Sequence, residues 1–160
     1  YDPVYKVNPP LRTTDDVQAL RQGLSDGTID AVATDHAPHP SQDKDCEWSA
    51  AAFGMLGLQT ALSVTIAAML QTDLLDWPGI ADRMSVRPAL IGGLQNQGSD
   101  LQMGSAAHLC VVDPQAHWRV DPHALASKSH NTPFAGQTLP GRIVHVLYGD
   151  RPTVVDGVLA

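Results

Sequence analysis

Gly27-Thr28-Ile29-Asp30-Ala31-Val32-Ala33-Thr34-Asp35-His36-Ala37-Pro38-His39 carries the fold class in its order. Thr28 to Thr34 is a short run of Ile, Val and small alanines, the composition of a buried strand. Gly27 bounds it on one side and the polar run from Asp35 to Pro40 on the other. Immediately upstream lies a helix signal. Thr13 or Thr14 can cap it, Asp15 and Asp16 suit the positive end of its dipole, and Val17, Leu20 and Leu24 form one apolar stripe. Asp26-Gly27 ends the helix, because glycine supplies the left-handed C-terminal turn. Helix, short buried strand and polar loop is the order of a parallel α/β unit.

Outward from this unit, Lys6 to Arg12 (KVNPPLR) cannot be a helix interior, since Pro9 and Pro10 remove backbone donors and push their predecessors towards extended geometry. On the other side a long polar loop runs from His36 to about Ala50, and long loops in compact domains are often functional. Helical patterns are predicted over about 54–71, 77–84 and 86–94. The character changes near Gly98. From Leu101 the chain has short β-type runs at Ala107 to Val112, Trp118 to Val120, Arg142 to Tyr148 and Thr153 to Val155. Asp113-Pro114, Asp121-Pro122, Leu139-Pro140-Gly141 and Tyr148-Gly149-Asp150 are the predicted turns between them. The division is an α/β part over 1–98 and a small β module over 99–160, with no internal repeat or low-complexity tract.

A hydrophobic share of 43% and a charged share of 17% over 160 residues predict a folded chain. A net charge of −7 argues against nucleic acid or anionic lipid as the main partner, because both are bound through clustered Lys and Arg. Cys46 and Cys110 stand far apart without a CxxC neighbour, which argues for free thiols in a reducing, cytoplasmic compartment. The apolar stretch from Met55 to Leu70 is interrupted by Gln59, Thr60, Ser63 and Thr65, so it predicts a buried helix and not a membrane span. No signal peptide opens the chain, which begins on Tyr1 and enters a motif within a few residues, as a piece of a longer protein would.

Thr34 to His39 is the densest chemical cluster. An Asp just past a short buried strand lies where parallel α/β proteins build active sites. Two imidazoles and a carboxylate there suit metal ligation or acid–base work near neutral pH. The bland alternative is a polar turn with Asp35 bonding the backbone and His36 and His39 solvated. Asn8, held between extended residues and a double proline, suits bidentate hydrogen bonding to a carboxylate or imide edge; its alternative is an Asx-type turn. His108, His117, His123, His130 and His145 fall at no ligand spacing, and with no HxH or HxxxH the chain cannot assemble a histidine-rich metal centre alone. Trp48, Trp77 and Trp118 are expected to be packing residues.

Lys6 to Arg12, Gly27 to His39 and Phe53-Gly54-Met55-Leu56-Gly57-Leu58-Gln59-Thr60-Ala61-Leu62 closely resemble bacterial class I dihydroorotases, members of the amidohydrolase superfamily. Arg87-Pro88-Ala89, Leu109 to Pro114, and Ser127 to Gly136 with its NTPF string extend the resemblance in register over nearly the whole chain. The resemblance implies the C-terminal part of a (β/α)8 barrel over 1–98 and the C-terminal share of a composite β-sandwich over 99–160. It also implies interconversion of N-carbamoyl-L-aspartate and L-dihydroorotate in pyrimidine synthesis, with one or two zinc ions. Asp35 then matches a metal ligand that is also the general acid–base, Asn8 and His39 match substrate-binding residues, and Phe53-Gly54 match a segment whose backbone touches the pyrimidine ring. His36 is expected to orient Asp35 from behind.

The resemblance further implies that most metal ligands, and an Arg that clamps the substrate carboxylate, lie upstream. The chain alone is therefore expected to be inactive and to expose apolar barrel surface. The partners it implies are the rest of the barrel, a second copy of the protein and aspartate transcarbamoylase. Two other readings remain at this point: a non-catalytic dihydroorotase-like scaffold of aspartate transcarbamoylase, and another cyclic amidohydrolase such as an allantoinase or hydantoinase.

Overall fold

Thr13 opens the first helix, α1 (Thr14–Asp26), through a capping box. Its hydroxyl accepts from the Asp16 N–H, while the Asp16 carboxylate accepts from the Thr13 N–H at 3.1 Å and hydroxyl at 2.8 Å. These bonds hold the Asp16 carboxyl below the usual carboxylate range. Gly27 at φ 89° closes the helix, as the sequence predicts. These elements come from a computed structural model, which describes residues 1–98 and 100–160. The predicted boundary between the two parts falls at residue 99, outside the described residues.

Beyond α1 the chain departs from the prediction. Thr28 to Thr34 forms no strand. A strand is defined by its ladder, and among the described residues the following segment makes one bridge only, parallel, between His36 and Met55. The helix predicted over 54–71 starts later, as α3 (Ala61–Thr65), and continues as a π-helical turn, Ile66–Leu70. Ahead of it Met55 pairs with His36 and residues 58–60 form a turn. The long loop holds one short helix, α2 (Ser41–Lys44). The helices predicted over 77–84 and 86–94 are one run: α4 (Trp77–Ala81), a π-helical turn Asp82–Val86, and α5 (Arg87–Ile91). Pro88 cannot donate to the carbonyl a turn before it, and the wider turn directly ahead absorbs that mismatch without breaking the run.

The second half is a four-stranded antiparallel sheet in the order β1 (Leu109–Arg119), β2 (Thr138–Tyr148), β3 (Arg151–Val155) and β4 (Val158–Leu159). Two predicted turns are not turns. Asp113-Pro114 lies inside β1 and Leu139-Pro140-Gly141 inside β2. Asp113 pairs with Arg142 and His117 with Pro140, so Pro114, Gln115 and Ala116 bulge opposite Gly141 alone. A bulge tolerates proline because it needs no ladder N–H there. The Asp113 carboxylate accepts from the Gln115 and Ala116 N–H groups at 2.9 and 3.2 Å and ties the bulge down.

The bulge is where the helices meet the sheet. The Ser63 hydroxyl of α3 donates to the Gly141 carbonyl at 2.9 Å and accepts from the Trp118 indole N–H at 2.9 Å. Trp118 is thus a polar anchor as well as a packing residue. Leu56, Ile66, Met69, Ile80, Ala89, Val120 and Leu139 are among the buried apolar residues. Much other apolar surface is open: Leu20 is 57% exposed, Ile91 68% and Leu101 81%. The apolar stripe of α1 therefore buries no residue within this chain.

Candidate active site

Asp35 ends the extended run in a left-handed turn at φ 43°, a conformation Asp tolerates better than most residues. Its carboxylate is exposed and makes no hydrogen bond or ion pair among the described residues. Asn8 precedes a cis Asn8–Pro9 bond and is likewise exposed, with its amide unpaired among the described residues. The Asx-turn alternative fails because the two prolines that follow have no N–H for that amide to bond.

No hydrogen bond joins His36 to Asp35 among the described residues. Its Nδ1 accepts from the Gly57 N–H at 3.1 Å and the Leu58 N–H at 3.4 Å. An imidazole nitrogen that accepts carries no proton, so the ring proton sits on Nε2. His36 thus joins the Asp35 loop to the segment leading into α3.

His39 carries its proton on the same nitrogen and bonds through it. Its Nε2 lies 2.9 Å from the Phe53 carbonyl oxygen, which can only accept, so Nε2 is the protonated nitrogen. The Phe53-Gly54 segment is fixed on every side. The Gly54 N–H donates to the Lys6 carbonyl at 2.9 Å. The Gly54 carbonyl accepts from the Lys44 ammonium at 2.9 Å and the Asn131 amide at 3.4 Å. Gly54 itself sits at φ 130°, and a Cβ there would fall 2.5 Å from Ala37 Cβ and 3.1 Å from His39 Nε2. Only glycine lets the segment approach the 37–39 loop this closely.

Three residues that the sequence analysis left without a role support this cluster. Asn131, 8% exposed, accepts from the His39 N–H at 3.2 Å and donates to the Ala37 carbonyl at 2.9 Å. Lys44, 4% exposed, donates to the carbonyls of Lys6, Ala52 and Gly54. Lys6 donates to the Trp48 and Ser49 carbonyls at 2.7 and 3.1 Å, and its ammonium lies 4.6 Å from the centre of the Phe53 ring. Their acceptors are backbone carbonyls, which leave no signature in the sequence. The one available hint was that Lys6 and Asn131 fall inside the KVNPPLR and NTPF strings.

The structure therefore brings together His39, Phe53 and Gly54, while no described hydrogen bond joins Asn8 or Asp35 to them. Among the described residues, no group of three or more His, Cys, Asp or Glu side chains could hold a metal ion. The exposed, unpaired Asp35 carboxylate suits one metal ligand, and further ligands would have to come from elsewhere. No helix among the described residues is long and apolar enough to cross a membrane.

No family model matches the chain. In structure it is similar to two hydantoinases, cyclic-amide hydrolases by their names. One is the L-hydantoinase (dihydropyrimidinase) of Arthrobacter aurescens, with a TM-score of 0.89, 30% identity, and 99% of this chain and 36% of that one covered. The other is the D-hydantoinase (dihydropyrimidinase) of a Thermus species, with a TM-score of 0.88, 25% identity, and 99% of this chain and 35% of that one covered. These neighbours are amidohydrolase-superfamily barrel enzymes, which establishes the class of α/β fold.

In sequence the similarity is to dihydroorotases. The chain is 58% identical to that of Streptomyces coelicolor over 159 residues, 99% of this chain and 37% of the relative. It is 50% identical to that of Leifsonia xyli subsp. xyli over 159 residues, 99% of this chain and 36% of the relative. To that of Mycobacterium tuberculosis it is 52% identical over 157 residues, 98% and 36%. Over nearly its full length the chain is similar to dihydroorotases, and it spans about a third of the length of the curated relatives it matches.

Proposed function

We propose that this chain is the C-terminal part of a dihydroorotase, which closes N-carbamoyl-L-aspartate to L-dihydroorotate and opens it again. The observation that carries the reading is the 58% identity to a dihydroorotase over 99% of the chain, against 30% or less to the two hydantoinases. Residues 1–98 then belong to the barrel and 99–160 to a β-sandwich, whose other sheet would come from the rest of the protein. The open apolar surface at Leu20, Ile91 and Leu101 supports a barrel completed by further strands. A cytoplasmic enzyme that self-associates or assembles with aspartate transcarbamoylase is part of the same proposal.

In this reading Asp35 is one ligand of a zinc centre whose remaining ligands come from the rest of the protein. When bound, such a metal would supply Lewis-acid activation of water at neutral pH. Asp35 moves the proton: it takes one from the ureido nitrogen during ring closure and returns it to that nitrogen during opening. The exposed Asp35 carboxylate, with no hydrogen bond among the described residues, is open to a metal and to substrate. Asn8 offers an unpaired amide to the substrate carboxylate or ring oxygens. His39 and the Phe53-Gly54 backbone bind the ring, positioned by the bonds described above.

The test is turnover of dihydroorotate by the full-length protein carrying this chain, with zinc supplied and then chelated. Zinc-dependent hydrolysis of dihydroorotate in preference to hydantoin is expected. Preference for hydantoin would replace the substrate. A folded protein with neither metal nor turnover would be the scaffold.

A further inference from the structure

Gly54 receives two donors on one carbonyl, from side chains that come from opposite halves of the chain. Lys44 reaches it from the last position of α2 at 2.9 Å, and Asn131 reaches it at 3.4 Å from the segment just ahead of β2. Both side chains use every N–H they have. The Lys44 ammonium has three N–H groups and meets three carbonyls, those of Lys6, Ala52 and Gly54. Asn131 uses both faces of its amide, accepting from the His39 N–H and donating to the Ala37 and Gly54 carbonyls. In addition, the Asn131 carbonyl accepts from the Leu56 N–H at 3.0 Å.

A buried ammonium with no carboxylate partner is costly, and simple cross-linking of loops does not require one. The carbonyls these donors select are informative. They hold the segment that carries Phe53 and Gly54 and the loop that carries His39, and they fix one against the other. With the Gly54 N–H and both carbonyls of the segment engaged, the Phe53 N–H is the donor left without a protein acceptor among the described residues.

We infer that Lys44 and Asn131 are positioning residues: they set the Phe53-Gly54 peptide and His39 in the arrangement that meets the ring. The inference rests on the dihydroorotase reading above. Lys44 acts as a pin beneath the peptide. Asn131 acts as a fork whose donor and acceptor ends are not interchangeable, so an isosteric carboxylate cannot replace it.

The experiment uses the full-length enzyme with Asn131→Asp and, separately, Lys44→Met. Asn131→Asp keeps shape and the acceptor for His39 but removes the donors to Ala37 and Gly54. Lys44→Met keeps the apolar stem and removes the ammonium. Both are expected to raise KM for dihydroorotate about tenfold or more while kcat changes less than about threefold, because binding geometry is lost and the Asp35 chemistry is kept. Wild-type turnover of dihydroorotate is the control that separates the two readings; without it the dihydroorotase reading fails and takes this one with it. Wild-type turnover with both variants folded and KM unmoved overturns the positioning role alone. If neither variant folds, the residues are structural and the inference is likewise overturned.

Discussion

Gly54→Ala tests the packing of the site most directly. An alanine at φ 130° sits outside the regions open to side-chain-bearing residues, which costs on the order of 1–3 kcal/mol. Its Cβ would lie 2.5 Å from Ala37 Cβ, where ordinary contact is about 3.5–4.0 Å, so the two backbones must part by about an ångström. Overpacking of this kind adds roughly 1–3 kcal/mol, which brings the expected loss to about 2–6 kcal/mol. The movement would also stretch the bonds from His39 to Phe53 and from Lys44 to Gly54, now both 2.9 Å. Urea unfolding of the full-length protein should show the loss, and the surviving folded fraction should bind dihydroorotate weakly. Gly93→Ala is the control: φ is 63° and nothing lies within 4 Å of the added carbon, so only a backbone cost of roughly 1–2 kcal/mol applies. If Gly54→Ala is as mild as Gly93→Ala and leaves KM unchanged, the close approach is not a constraint and the account of the site is wrong.

Asp35→Asn in the full-length enzyme should abolish turnover while circular dichroism and unfolding stay as in wild type, since shape is kept and proton acceptance is lost. His39→Ala should raise KM more than it lowers kcat, because it removes the bond to the Phe53 carbonyl and leaves Asp35 intact. Thr13→Ala removes the acceptor for the Asp16 N–H and should cost about 1 kcal/mol in urea unfolding. Burial, with the Lys6 cation adding to it, holds the Lys44 pKa below the ordinary lysine value. Between the two values the unfolded chain binds more protons than the folded one, so this contribution to stability rises with pH and is most unfavourable below that window. The stability of wild type minus that of Lys44→Met should therefore increase from neutral pH towards about pH 10, and a constant difference would refute it.

What could be read without the structure depended on the range of each interaction. The capping box at Thr13, the glycine at position 27 and the exposed Asp35 are local matters, decided within a few residues. Thr28 to Thr34 has the composition of a buried strand and no ladder in this chain, because composition reports what a segment can pair with, and pairing needs a neighbour. Asp113-Pro114 and Pro140-Gly141 have turn chemistry, yet they face each other across one bulge, where two irregularities cancel and the strands continue. The site divides in the same way. Asp35, His39 and Phe53-Gly54 sit in strings distinctive enough to read. Lys44 and Asn131 do not, since a lysine in a polar loop or an asparagine before Thr-Pro looks solvent-bound until its carbonyl acceptors are seen. Those acceptors lie as far as 94 positions away for Asn131. The residues to which the proposed mechanism assigns the substrate could therefore be named from the sequence, and the buried donors that tie their segments together could not. Backbone acceptors are present at every position, and only the fold selects which of them a buried donor will reach.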